Sequence, residues 1–279
     1  MAAIALALGS ALFYGLSDFL GGLKSRSIPL LTVLLVSQAS ALVALAAYVA
    51  VRGAEPPDGE FLLYGGLAGV AEAIGVAALY RGLSVGVMSL VAPTASTAPV
   101  VPIVAGIALG EFPATVQWAG IAMAVTGIVV ASRAPTQGGA SVAAVRPSLG
   151  FGLVSALGFG AFYVALDAAS EGDIAWALVS AKLTAVALFG AFVLIARGTR
   201  LRARDFPVVA LVGLLIVAAD SMYAAASTEG LLSVIAVLSS LYPVVTIALA
   251  RIVLGERLSG PQRIGVAAVL SGVVAISAG

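Results

Sequence analysis

The chain has 279 residues, 61% hydrophobic and only 10% charged, so it cannot cover itself with the wetted surface of a soluble domain, which carries roughly 25% charged residues. Its net charge of +1 gives no basic face for a nucleic-acid partner. The absence of Cys and His removes disulfides, thiolate nucleophiles, most zinc sites and the usual neutral-pH base, and neither a metal nor another cofactor is expected.

Apolar runs of about 18 to 25 residues bounded by charge, Pro or Gly mark spanning helices. Ten such runs occur: Ala2–Gly22, Pro29–Val51, Phe61–Tyr80, Val85–Gly110, Ala114–Ser132, Ser148–Leu166, Ile174–Ala196, Phe206–Ser227, Leu231–Leu254 and Ile264–Ala278. The first lacks a basic leader and flows into Asp18 and a Gly pair, which argues against a cleaved signal peptide. Barrel strands would be shorter and would alternate polar with apolar residues, so the predicted fold is all-α and membrane-embedded. Runs three and four are expected to join through a short turn at Gly82 to Gly86, and runs eight and nine near Gly230. Small residues such as Gly21-Gly22, Gly65-Gly66-Gly69, Gly120 and Gly127 suit close helix packing in lipid.

The chain repeats itself at a spacing of ~144 to 145 residues. Ser89, Pro99, Gly110-Glu111, Gln117, Gly120 and Gly127 return as Ser233, Pro243, Gly255-Glu256, Gln262, Gly265 and Gly272, while Gly15 returns as Gly160 and Phe61 as Phe206. Residues 133–147, rich in Gly, Ser, Ala and Pro, read as a linker between two five-helix units, 1–132 and 148–279. An odd number of spans per unit turns the second unit over in the bilayer, giving two inverted repeats. Odd-numbered loops hold Lys24, Arg26, Arg81, Arg133, Arg146, the four arginines from Arg197 to Arg204, Arg257 and Arg263; even-numbered loops hold Arg52 alone among basic residues. The positive-inside rule then puts odd loops in the cytoplasm and both termini outside.

Together these features resemble the drug/metabolite transporter superfamily, in its EamA-like branch of ten helices and two EamA domains. The resemblance is carried by Tyr14-Gly15 and Phe159-Gly160, by Pro99 and Pro243, and by Leu109-Gly110-Glu111 and Leu254-Gly255-Glu256; Arg257 follows the second ending as the family pattern has it, and Phe112 follows the first. It implies a carrier of amino acids, metabolites, drugs or sugar conjugates. For the Gly-Glu endings a structural reading is favoured: Gly relieves a left-handed helix cap, and Pro113 or Pro261 opens the next helix.

A charge near the centre of a spanning helix costs about 2.5 to 3.5 kcal/mol on insertion scales, so it is a functional candidate. Asp18, Glu72, Lys182 and Asp220 fall there, while Asp167 and Arg251 lie nearer helix ends. Their polar company at helical spacing is Tyr14 and Ser17 around Asp18, Tyr223 after Asp220, Thr94 with Thr97, Ser239 with Tyr242, and Gln38, with Tyr163 added from the sixth run. These residues are expected to line a polar cavity between the halves, with Asp18, Glu72 and Asp220 as candidates for proton coupling. Two other arrangements stay open: Lys182 and a carboxylate hold the ends of a zwitterion, or Lys182 braces Glu72 or Asp220 while the hydroxyls bond their own helices.

The leading reading is a secondary transporter of a small metabolite in the cell membrane, an exporter or exchanger, with membrane lipid as its surroundings. A membrane-embedded enzyme fares badly without His, Cys, a phosphate-cradling loop or a metal-ligand cluster. A scaffold or lipid-flipping protein would instead close its central charges into ion pairs with no solvent path. A channel lacks a ring of like charges or a filter motif.

Overall fold

The computed structural model describes residues 2–98, 100, 101, 104, 105, 114–133, 144–195, 202–229, 238, 239 and 241–277. Its regular elements are helices: α1 (Ala2–Lys24), α2 (Leu30–Arg52), α3 (Gly59–Val85), α4 (Met88–Ala95), α5 (Thr115–Arg133), α6 (Val145–Ser170), α7 (Ile174–Ile195), α8 (Phe206–Glu229), α9 (Tyr242–Leu254) and α10 (Gly260–Ser277). Six of these, α1 to α3 and α6 to α8, are long and apolar enough to cross a membrane, and Thr115–Val130, Tyr242–Leu254 and Gly260–Ile276 are shorter apolar helices. Pro99, the Leu109-to-Pro113 stretch with Gly110 and Glu111, most of the linker, Arg197, Arg200, Gly230 and Ser233 lie outside the described residues.

Two of the expected runs differ in kind from what forms. The fourth was expected as one helix from Val85 to Gly110, but α4 ends at Ala95 and Ser96 to Ala98 form a turn. There the Thr97 and Ala98 amides donate three residues back, to Thr94 and Ala95, each at 3.2 Å. Proline explains the interruption: Pro93 withholds an amide inside α4, and Pro99 disfavours helical geometry at Ala98. The ninth was expected as one helix from Leu231 to Leu254; of its first part only Leu238 and Ser239, both helical, are described, and a turn at Leu241 precedes α9, which has Pro243 in its first turn, where a missing amide costs nothing. At 13 residues α9 is about 20 Å long, short of the roughly 30 Å hydrocarbon core. The expected turn at Gly82 to Gly86 is also shorter: α3 continues through Gly82 to Val85, leaving Gly86 and Val87 as the connection.

The helix exteriors are apolar and the interior holds the charges, the inverse of a soluble protein. Val51, Leu194 and Ile252 are 89%, 81% and 78% exposed, whereas Glu72 and Lys182 are 5% and 2% exposed. Such a surface is stable against lipid, and helices that gain little from apolar burial must associate by close backbone approach. Glycines supply that approach. A Cβ on Gly158 would strike the Gly75 backbone, one on Gly120 the Gly272 carbonyl, and one on Gly127 the Gly265 carbonyl.

The same contacts set helix directions. Gly75 meets Gly158 while Gly82 meets Phe151, so α3 and α6 run antiparallel; Gly120 with Gly272 and Gly127 with Gly265 make α5 and α10 antiparallel. α1 packs on α8 and α9, α6 packs on α3 and α4, and α2 packs on α7. Gly15 presses on Val245 and the Tyr242 carbonyl, and Gly160 presses on Val101 and the Ala98 carbonyl.

Polar bridges tie the bundle at both ends. At one, Lys24 reaches Asp205 at 2.9 Å, and Arg26 donates to the Leu83 carbonyl at 3.1 Å with Glu256 at 3.7 Å. Glu256 also accepts from the Met88 and Ser89 amides at 3.1 Å each and from the Ser89 hydroxyl at 2.9 Å, capping α4. Gly255 before it holds φ 66°, the left-handed geometry expected of that ending. At the other end Arg52 pairs with Asp173, and the Trp176 indole donates to the Ala54 carbonyl at 3.2 Å. Burial pulls the Asp173 carboxyl up, but the Trp176 amide and the Arg52 guanidinium outweigh it and hold it below its usual range. The hydrogen bond from Lys24 likewise holds the Asp205 carboxyl down.

Candidate functional site

The site begins with two glycines. Gly65 and Gly69 on α3 face α7 so closely that a Cβ on Gly69 would strike the Ala181 carbonyl and one on Gly65 would crowd Ser180. This contact brings Glu72, three residues beyond Gly69, against Lys182, the residue after Ala181. The two form an ion pair whose side chains are 7% and 2% exposed, and Gln38 from α2 donates to the same Glu72 Oε1 at 3.3 Å. Glu72 Oε2 and Gln38 Oε1 are buried without a protein hydrogen-bond partner.

A second polar link joins α1 to α8, where the Tyr14 hydroxyl donates to Asp220. The Tyr14 ring meets Tyr242 edge-on, with centroids 6.2 Å apart. Ser17 turns its hydroxyl back to the Tyr14 carbonyl at 2.8 Å. Asp18, 9% exposed, has neither a hydrogen bond nor an ion pair among the described residues.

These groups line one cavity of about 530 Å³ between the two halves of the chain. That volume falls within the roughly 300–1,000 Å³ of small-molecule sites. Of the residues expected there, Tyr14, Ser17, Asp18, Gln38, Glu72, Tyr163, Lys182, Asp220, Tyr223, Ser239 and Tyr242 lie on its wall. Thr94 and Thr97 do not. Their hydroxyls donate to the Leu90 and Thr94 carbonyls at 2.8 and 2.7 Å, and Thr94 packs against Gly152. Ser239 on the wall donates to the Ala7 carbonyl at 3.4 Å. Of the two arrangements left open by the sequence, the zwitterion clamp needs Lys182 free of Glu72, whereas here its ammonium pairs with Glu72 as in the brace.

Sequence reasoning missed Tyr80, Ser96, Phe159, Phe162 and Ser170 on the wall. A signal for some of them was present in the departures of one half from the other. At the 145-residue offset Tyr80 faces Ala225, Glu72 faces Val217, Lys182 faces Ser37, Asp220 faces Gly75, and Asp18 faces Tyr163. These unshared residues all lie on the cavity wall except those, Ala225, Val217, Ser37 and Gly75, that stand opposite them in the repeat.

The comparisons with known proteins agree with this architecture. Twenty chains of solved structures match the fold. One, described only as a crystal structure of a protein, superposes with a TM-score of 0.65 over 98% of this chain and 95% of its own at 16% identity, a likeness in fold alone. No curated protein matches. Two stretches, residues 1–133 and 146–278, each match the EamA-like transporter family. With nearly its whole length matched and its apolar helices turned outward, the chain belongs to the EamA-like transporter family and is a multi-pass membrane transporter of the drug/metabolite type.

Proposed function

We propose that this protein is a secondary carrier that moves a small molecule across the cell membrane by alternating access. Its two five-helix units, 1–132 and 148–279, rock about the cavity as inverted repeats joined by the 133–147 linker. The observation that carries this reading is a cavity walled by both halves whose polar links, the buried Glu72–Lys182 pair and the half-buried Tyr14–Asp220 bond, each run from one half to the other. Relative motion of the halves must remake those links, so occupancy and conformation are coupled there.

Two further features support inversion. Corresponding helices α5 and α10 run antiparallel, and Gly15 and Gly160, repeat partners, press on repeat partners, Val245 and Val101. Lys24–Asp205 and Arg26–Glu256 bridge the halves at the basic end, while the cavity reaches Ser170 and Ile174 beside the opposite connection. That asymmetry suits a carrier closed on its cytoplasmic side, with both termini outside. The scaffold alternative requires every central charge to be closed into a pair, and Asp18 has no such partner among the described residues.

A proton gradient drives the cycle through the cavity carboxylates, with Asp220, Glu72 and Asp18 as the groups that exchange protons. Proteoliposomes carrying a pH gradient test this. Substrate movement should follow the gradient and be uncoupled or lost in Asp220→Asn and Glu72→Gln. Movement indifferent to both the gradient and the substitutions would overturn proton coupling; no movement of any small molecule would overturn the carrier.

A further inference from the structure

The charge inventory of the cavity narrows what it can hold. Among the described residues its wall carries three carboxyl groups, Asp18, Glu72 and Asp220, against one cation, Lys182. Lys182 is committed to Glu72, and Asp220 accepts the Tyr14 hydroxyl. Asp18 is left over: it is 9% exposed, it faces the cavity, and no donor or cation among the described residues meets it. A carboxylate held out of water without a partner is costly, and a bound cation relieves that cost.

The remaining hydrogen-bonding capacity is of the same kind. Glu72 Oε2 and Gln38 Oε1 are acceptors without protein donors that an ammonium can satisfy, and the Tyr80 hydroxyl is likewise without a protein partner. Aromatic rings complete the setting. Tyr80 lies over Gly21, whose Cβ would strike its ring, and Gly21 is one helical turn beyond Asp18. Tyr242 shares the wall and meets edge-on the ring of Tyr14, one helical turn before Asp18. Ring faces attract cations, and more strongly once water is excluded. The rest of the wall, with Val76, Leu79, Phe159 and Ile216, is apolar.

We propose that the cavity binds an organic cation, a protonated amine on an aromatic or aliphatic body, with its ammonium at Asp18 beside the rings of Tyr80 and Tyr242. Anions meet the unpaired Asp18 and find no free cation among the described residues of the wall. A zwitterion is penalised at its carboxylate end for the same reason. The assignment rests on the carrier reading only for the claim that the bound cation is moved.

The test uses the full chain in lipid nanodiscs and four matched probes at neutral pH: 2-phenylethylamine, its trimethylammonium derivative, phenylalanine and 3-phenylpropionate, with binding measured by calorimetry. Both cations should bind, phenylalanine should be weaker by about tenfold or more, and the anion should not bind. Asp18→Asn keeps the side-chain shape and should weaken 2-phenylethylamine by about tenfold or more without lowering the unfolding temperature. Tyr80→Leu should weaken the trimethylammonium probe most, because that cation has no N–H to donate. Cation binding falls as an assignment if neither amine binds, if 3-phenylpropionate or phenylalanine binds as tightly, or if folded Asp18→Asn binds the amine like wild type. The probe series on the wild-type chain decides the matter even where a variant fails to fold. Counterflow of radiolabelled 2-phenylethylamine in proteoliposomes separates the two readings: binding without counterflow sinks transport and keeps the cation site, and counterflow of the anion without amine binding does the reverse.

Discussion

Replacing Lys182 with Met tests the central ion pair. The substitution keeps the length of the side chain and leaves the Glu72 carboxylate, in a side chain 7% exposed, without its cation. Removing one partner of a pair buried this deeply costs about 3–5 kcal/mol, and solvent screening is too weak here to reduce it. At about 2–4 °C per kcal/mol for a chain of this size, Lys182→Met should lower the unfolding temperature in detergent by roughly 10 °C. The double variant Lys182→Met/Glu72→Gln should recover most of that loss, because the neutral amide needs no cation and still accepts from Gln38. Stability and transport then separate. If the pair is a working part of the carrier, the double variant is stable and fails to transport in proteoliposomes; if it is only a brace, transport returns with stability. An unfolding temperature unchanged in Lys182→Met, or a double variant no more stable than the single one, would refute the electrostatic reasoning itself.

Glu256→Ala should destabilise by about 1–3 kcal/mol in thermal unfolding, since it strips the Met88 and Ser89 amides of their charged acceptor. Gly69→Val should drive α3 from α7 by striking the Ala181 carbonyl, at an overpacking cost of about 1–3 kcal/mol or more, and should reduce transport by parting Glu72 from Lys182. Asp173 accepts the Trp176 amide at 3.0 Å as the cap of α7 as well as pairing with Arg52, so Asp173→Ala should cost about 1 kcal/mol near neutral pH. The contribution of its ionised form has a definite sign. A carboxyl held below its usual range stabilises the fold above that range and loses the effect as the pH falls through it, so the gap between wild type and Asp173→Asn should narrow in acid. A gap that widens in acid would contradict the assigned pairing.

Much of the architecture was legible in the residues, for reasons that differ along the chain. Ten helical segments could be placed because lipid demands long apolar runs with satisfied backbones, and the ends of α2 at Gly53 and of α9 at Gly255 were marked by glycine, which alone takes φ near 64–66° without strain. The breaks inside the fourth and ninth runs, at Ser96 to Ala98 and at Leu241, were not foreseen because hydropathy sees apolar residues but not the backbone geometry that prolines impose. Within the cavity the buried charges were visible because charge is rare in lipid, whereas Thr94 and Thr97 looked the same on paper as Ser239 and Tyr242. Only the packed structure tells which hydroxyl-bearing residues reach the cavity wall and which are packed away from it.

The sequence by itself determined that the chain lies in a membrane, that it is built twice from one pattern, and which few charges it carries into the bilayer. Composition, period and charge cost are properties of the residues alone. Tertiary structure decided which of those charges answer each other. Glu72 and Lys182 are 110 positions apart, and their meeting depends on two glycines letting α3 and α7 touch. Asp18, with the same kind of side chain, is left facing the cavity because no neighbouring helix among the described residues brings it a cation.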